Sequence, residues 1–93
     1  MLVIIKSAPD TNDGVLGLTL AKDGRADVIL LQNGVFFAQK GRLGSFPGTV
    51  YVLDDDKKLR GLKDSEIDAR AKTIDYDKLM DLITSGEKVT GMF

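Results

Sequence analysis

Cysteine and histidine are both absent from these 93 residues, and the two absences remove most side-chain chemistry at once. Without a thiol there is no disulfide, no thiolate metal ligand and no cysteine nucleophile, and cysteine usage leaves the redox compartment undetermined. Without an imidazole a Ser-His-Asp triad is impossible, so Ser7, Ser45 and Ser65 are hydroxyls with no general base, and nothing motivates a Ser-Lys pair. An excess of one charge sign is missing too. Thirteen basic residues stand against fourteen acidic ones, for a formal charge of -1, and both signs are scattered, so the footprint of a nucleic-acid or anionic-membrane partner is lacking. Long apolar runs are missing as well: residues 2–5 are too few for a membrane span or a signal-peptide core, which makes the cytoplasm the expected location. The length predicts a single domain over residues 1–93, burying about 60 to 68% of its unfolded surface around one modest core.

What is present is organised around residues 26–38, ADVILLQNGVFFA. Val28, Ile29, Leu30 and Leu31 form the unbroken apolar run expected of a strand covered on both faces, which predicts a central strand of a parallel sheet. The run stops at a turn signal, Gln32-Asn33-Gly34, and Val35, Phe36 and Phe37 begin a further element beside the strand's carboxyl end. Residues 2–5 read as a first strand, residues 49–53 (TVYVL) as a third, Thr73-Ile74 as a short fourth and residues 89–93 as a fifth at an edge. Between them, Val15, Leu16, Leu18, Thr19 and Leu20 predict an amphipathic helix capped by Asn12 or Asp13, with Gly17 marking close packing on a strand. Residues 41–48, with Gly41, Gly44, Pro47 and Gly48, read as a connector too poor in apolar residues to cover two phenyl rings. Asp54-Asp55-Asp56 open a short helix with Leu59 and Leu62, interrupted at Gly61, and residues 65–71 add a helical turn. Asp75 is the expected N-cap of the clearest helix, with Tyr76, Leu79, Met80, Leu82 and Ile83 at spacings of three and four and Gly86 at its end. This alternation predicts an α/β fold: a mainly parallel sheet of four to five strands, right-handed crossovers and helices on both faces.

Three constellations invite a functional reading. Asp54, Asp55 and Asp56, with Asp10 or Asp13, have the composition of a strand-end magnesium site, but acids are favoured at a helix start regardless of metal, and the structural reading is preferred. Residues 7–14 join a strand to a helix amino terminus, so Ser7, Asn12, Asp13 and Gly14 make a candidate anion loop, although phosphate-loop glycine spacing is lacking. Gln32, Asn33, Gly34, Phe36 and Phe37 are the candidate subunit interface, because two adjacent phenylalanines on so short a helix cannot share one core and aromatics are enriched in interfaces.

Taken together, the strand ending ILLQNGVFFA, the strand TVYVLDDD and the run TIDYDKLMDLI followed by EKV resemble the DsrH/TusB family of small sulfur-relay subunits. The resemblance covers most of the chain and implies a DsrE-like three-layer α/β/α fold. It implies membership in a DsrEFH/TusBCD-like assembly, in tRNA thiolation or sulfur oxidation, either as a homo-oligomer or beside DsrE/DsrF-type partners that carry persulfide on a cysteine. Having no cysteine, this chain cannot carry persulfide itself, so the expectation is a structural subunit that is not an enzyme, with no cofactor and no metal. The alternative expectation is a stand-alone flavodoxin-like module binding a small anionic or phosphate-containing ligand at the strand ends, through residues 7–14 and Asp54.

Overall fold

A computed structural model describes residues 1–85 and 88–93. Five strands, β1 (Leu2–Ile5), β2 (Asp27–Leu30), β3 (Val50–Leu53), β4 (Ala71–Ile74) and β5 (Val89–Met92), form one sheet in the order β4-β3-β2-β1-β5. Every neighbouring pair is parallel. The expected central strand is therefore central: β2 has two strands on either side, and Val28, Ile29 and Leu30 are fully buried. Alternation splits its side chains between two cores, Val28 and Leu30 on one face and Ile29 on the other.

Helix α1 (Asn12–Asp23), a 3-10 helix (Gln32–Ala38) and helix α2 (Asp54–Leu59) follow β1, β2 and β3. Ala21 of α1, Val35, Phe37 and Ala38 of the 3-10 helix, and Leu62 just past α2 join the first core, against Val3, Ile5, Val28, Leu30, Val50 and Val52. Helix α3 (Tyr76–Thr84) follows β4 and packs Leu79, Leu82 and Ile83 on the opposite face, against Leu2, Ile4, Ile29, Leu53 and Ile74. Crossovers that step from β1 toward β4 thus run over one face and the return to β5 over the other, so all share one hand, as right-handed βαβ units require. The helical turn expected over residues 65–71 is shorter, a 3-10 turn at Asp64–Glu66, and Ala71 already belongs to β4.

Four local expectations are corrected. Helix α1 is capped by Thr11, not by Asn12 or Asp13: Thr11 has extended backbone and its hydroxyl oxygen accepts from the Gly14 N–H at 3.0 Å. The same helix packs through Gly14, Gly17 and Ala21, while Val15, Leu16 and Leu20 lie exposed. The reason is distance: a Cβ on Gly17 would sit 3.1 Å from the Ile5 side chain, so the helix rests directly on the strand as its glycine suggested, and only small residues fit beneath it. Residues 41–48 are not poor in cover, because Leu43 and Phe46 are both buried in the first core. In α3, Asp75 caps as expected, accepting from the Lys78 N–H at 2.8 Å, yet Tyr76 and Met80 face outward. Gly86, the expected end of that helix, lies outside the described residues.

The tightest contact lies between β1 and the 3-10 helix, where a Cβ on Gly34 would overlap the Ile5 carbonyl oxygen. Backbone cannot yield there as a flexible side chain would, so Gly34→Ala should cost about 1 to 3 kcal/mol, the range of an overpacked core site. Urea melts check this, with Gly17→Ala as the comparison whose neighbours are side chains.

Candidate functional site at the carboxyl end of the central strand

After β2 the chain turns sharply. Leu31 is extended, and Gln32 adopts a left-handed backbone with φ 48°, one of two non-glycine residues that do so among those described. Such a conformation costs about 1 to 3 kcal/mol and persists only where surrounding contacts hold it. Those contacts come from α2. The Asp56 carboxylate accepts from the Gln32 N–H at 2.7 Å, and the Asn33 side-chain oxygen accepts from Arg60 Nε at 2.9 Å. Arg60 in turn donates to the Asp56 carbonyl at 3.3 Å and lies 3.8 Å from the Asp56 carboxylate. On the inner side the Gly34 N–H donates to the carbonyls of Leu31 at 2.8 Å and Lys6 at 3.1 Å. Gln32-Asn33-Gly34 is therefore the first turn of the 3-10 helix, clamped from both sides, rather than a free turn preceding it.

The structure separates the five candidate interface residues. Gln32 and Asn33 are exposed and Phe36 is half-buried, whereas Gly34 and Phe37 lie inside the chain's own core. Phe36 walls an open cavity of about 440 Å³ with Ala8, Pro9, Asp10, Asn33 and Arg42. Sequence reasoning missed Arg60 and read Asp56 only as an acid of a helix start. The four-residue spacing of Asp56 on α2 and Arg60 at its C-cap was the available signal, but nothing local showed that both point across to residues 32 and 33.

A family model described as "DsrH like protein" matches residues 6–89. The chain belongs to the DsrH-like family. Among solved structures, the solution structure of protein Tm0979 from Thermotoga maritima is 29% identical, with a TM-score of 0.68, over 98% of this chain and 100% of that one. No curated relative matches this chain.

The remaining candidates of this DsrH-like chain fall in other places. In the loop after β1, the Thr11 N–H donates to the Ala8 carbonyl, the Gly14 N–H to the Thr11 hydroxyl and the Val15 N–H to the Thr11 carbonyl, so these three donors are taken up locally. Ser7 donates its N–H to the Phe93 carbonyl, Asn12 and Asp13 are exposed, and Gly14 is buried against the Ala8 backbone. The three consecutive acids diverge. Asp54 pairs with Lys58 at 2.8 Å and Lys57 at 3.4 Å, Asp55 is exposed, and Asp56 belongs to the clamp. Hydrogen bonding to Lys58, which outweighs burial, holds the Asp54 carboxyl below its ordinary 3.8. Asp68 is lowered to about 2, chiefly by its hydrogen bonds from the Arg70 side chain and N–H.

Two predictions follow from this placement. Phe37→Ala should cost about 3 to 5 kcal/mol of fold stability, as buried aromatic truncations do, and Phe36→Ala clearly less, in denaturant melts of each variant. Because the Asp68 pKa is depressed in the folded state, its contribution to stability is present above the ordinary 3.8 and is lost as pH falls toward about 2. Asp68→Asn should accordingly flatten the acid limb of the stability curve in that window, as measured by melts in a pH series.

Proposed function

We propose that this chain is a non-catalytic subunit of a DsrEFH/TusBCD-like sulfur-relay assembly in the cytoplasm, docked on a cysteine-bearing DsrE/DsrF-like homologue. Membership in the DsrH-like family supports a sulfur-relay role. The absence of cysteine from these 93 residues carries the rest, since a persulfide needs a thiol sulfur to form on. Among the described residues no helix is long and apolar enough to cross a membrane.

The docking surface in this reading is the clamped segment at residues 32–36. Gln32 and Asn33 offer amide groups at the sheet's carboxyl edge, Phe36 offers a half-buried ring beside them, and the contacts from Asp56 and Arg60 fix Gln32 and Asn33 before any partner arrives. A surface ordered in advance loses little conformational entropy on association.

Co-purification from the source organism should bring down a cysteine-bearing homologue with this chain. Phe36→Ala should then weaken the complex by about 2 kcal/mol or more, roughly thirtyfold in Kd, while the monomer stays folded. Sedimentation of the wild-type and variant chains with the partner measures this. Recovery of the wild-type chain solely as a free monomer would overturn the reading.

A further inference from the structure

Beyond subunit assembly, the topology marks a second place where a ligand can bind. Strand β3 leads into α2 on one face of the sheet, and its neighbour β4 leads into α3 on the other, so the chain parts at the carboxyl ends of these two strands. Open α/β sheets bind ligands in the crevice such a parting creates. Here it is an open cavity of about 720 Å³ whose lining includes Asp54 at the end of β3, Thr73 and Ile74 at the end of β4, and the lysines Lys57, Lys58 and Lys63. A smaller groove of about 380 Å³ shares Thr73, Ile74 and Asp75 with it and adds Tyr51, Lys72 and Lys78.

The chemistry of the crevice centres on Lys57. Its side chain is 5% exposed, and its ammonium is held by Asp64 at 2.7 Å and Asp54 at 3.4 Å. The two carboxylates are unlike. Asp54 is 27% exposed and shared with Lys58, whereas the Asp64 side chain is 91% exposed and reaches Lys57 from the 3-10 turn Asp64–Glu66. An ammonium out of water needs an anion beside it, while an exposed carboxylate returns to water at little cost. Asp64 is therefore the exchangeable counter-ion. Once it swings out, three lining ammonium groups face the two remaining carboxylates, Asp54 and Asp75. Lys63 has no side-chain partner among the described residues.

We propose that the β3/β4 crevice binds a tetrahedral oxyanion, either free or as the phosphate group of a larger molecule, which takes the place of Asp64 on Lys57 with Lys63 as its second cation. Asp64 is then an internal competitor, and its removal should strengthen binding instead of weakening it.

The test is titration of the full chain with inorganic phosphate at constant ionic strength, followed by amide chemical shifts. Saturable shifts should gather at residues 63–66 and 73–75, with affinity several-fold higher in Asp64→Asn and several-fold lower in Lys63→Gln. Lys57→Gln should abolish binding; if that variant fails to fold, the exposed Lys63→Gln carries the decision. Glu66→Gln removes the same charge from the same turn without touching Lys57, and should leave the affinity near that of the wild type. A parallel titration with adenosine monophosphate separates the two sources: equal affinity points to the free oxyanion, tighter binding to a phosphate monoester. Non-saturating shifts in Asp64→Asn, an equal gain in Glu66→Gln, or saturation indifferent to Lys63→Gln would each overturn the proposal.

Discussion

Burial of β2 from both sides is the constraint on which the rest of the structure depends. Val28, Ile29 and Leu30 lose all contact with solvent, and each such side chain contributes about 1.5 to 3 kcal/mol on leaving water. That stabilisation is available only if layers form on both faces at once. The chain meets the requirement by sending its first three crossovers over one face and its last over the other. The central position of β2, the single hand of the crossovers and the parting of chain at the ends of β3 and β4 are consequences of the same demand.

The two faces are covered unequally. One carries α1, the 3-10 helix, the buried Leu43 and Phe46 and the residues around Leu62; the other carries α3, whose nine residues bury Leu79 and partly bury Leu82 and Ile83. Dense cover on the first face is what lets the segment after β2 be clamped. With Gly34 pressed on the Ile5 carbonyl beneath and Asp56 and Arg60 holding it from the side, the strained backbone at Gln32 has no room to relax. That rigidity is the basis of the docking surface proposed above.

Charged residues divide between two tasks that a sequence cannot tell apart. Asp54, Asp55 and Asp56 are neighbours in the chain, yet one neutralises lysines, one is solvated and one crosses to another element. Lys57 and Lys58 are likewise adjacent, and rotation by one helical step puts Lys57 out of water and Lys58 in it, with side-chain exposures of 5% and 72%. A few ångströms of helix placement decide which charge is structural and which is available.

Patterns repeated within a few residues were legible in the sequence: the doubly buried strand, the β-branched third strand, the Asp75 cap, the periodic last helix and the lack of cysteine and histidine. Each is set by local backbone geometry or by composition, so it needs no knowledge of distant partners. Helix α1 shows where that stops, because its apolar residues and its glycine-alanine stripe trace two different faces, and only the approach of β1 selected the stripe. The clamp could not be read at all. Asp56 meets Gln32 across 24 positions and Arg60 meets Asn33 across 27, and at such separations no period or cap signal survives. Which phenylalanine lies inside, which acid holds the turn and which lysine is buried were decided by tertiary packing, since each depends on elements that meet only when the sheet has formed.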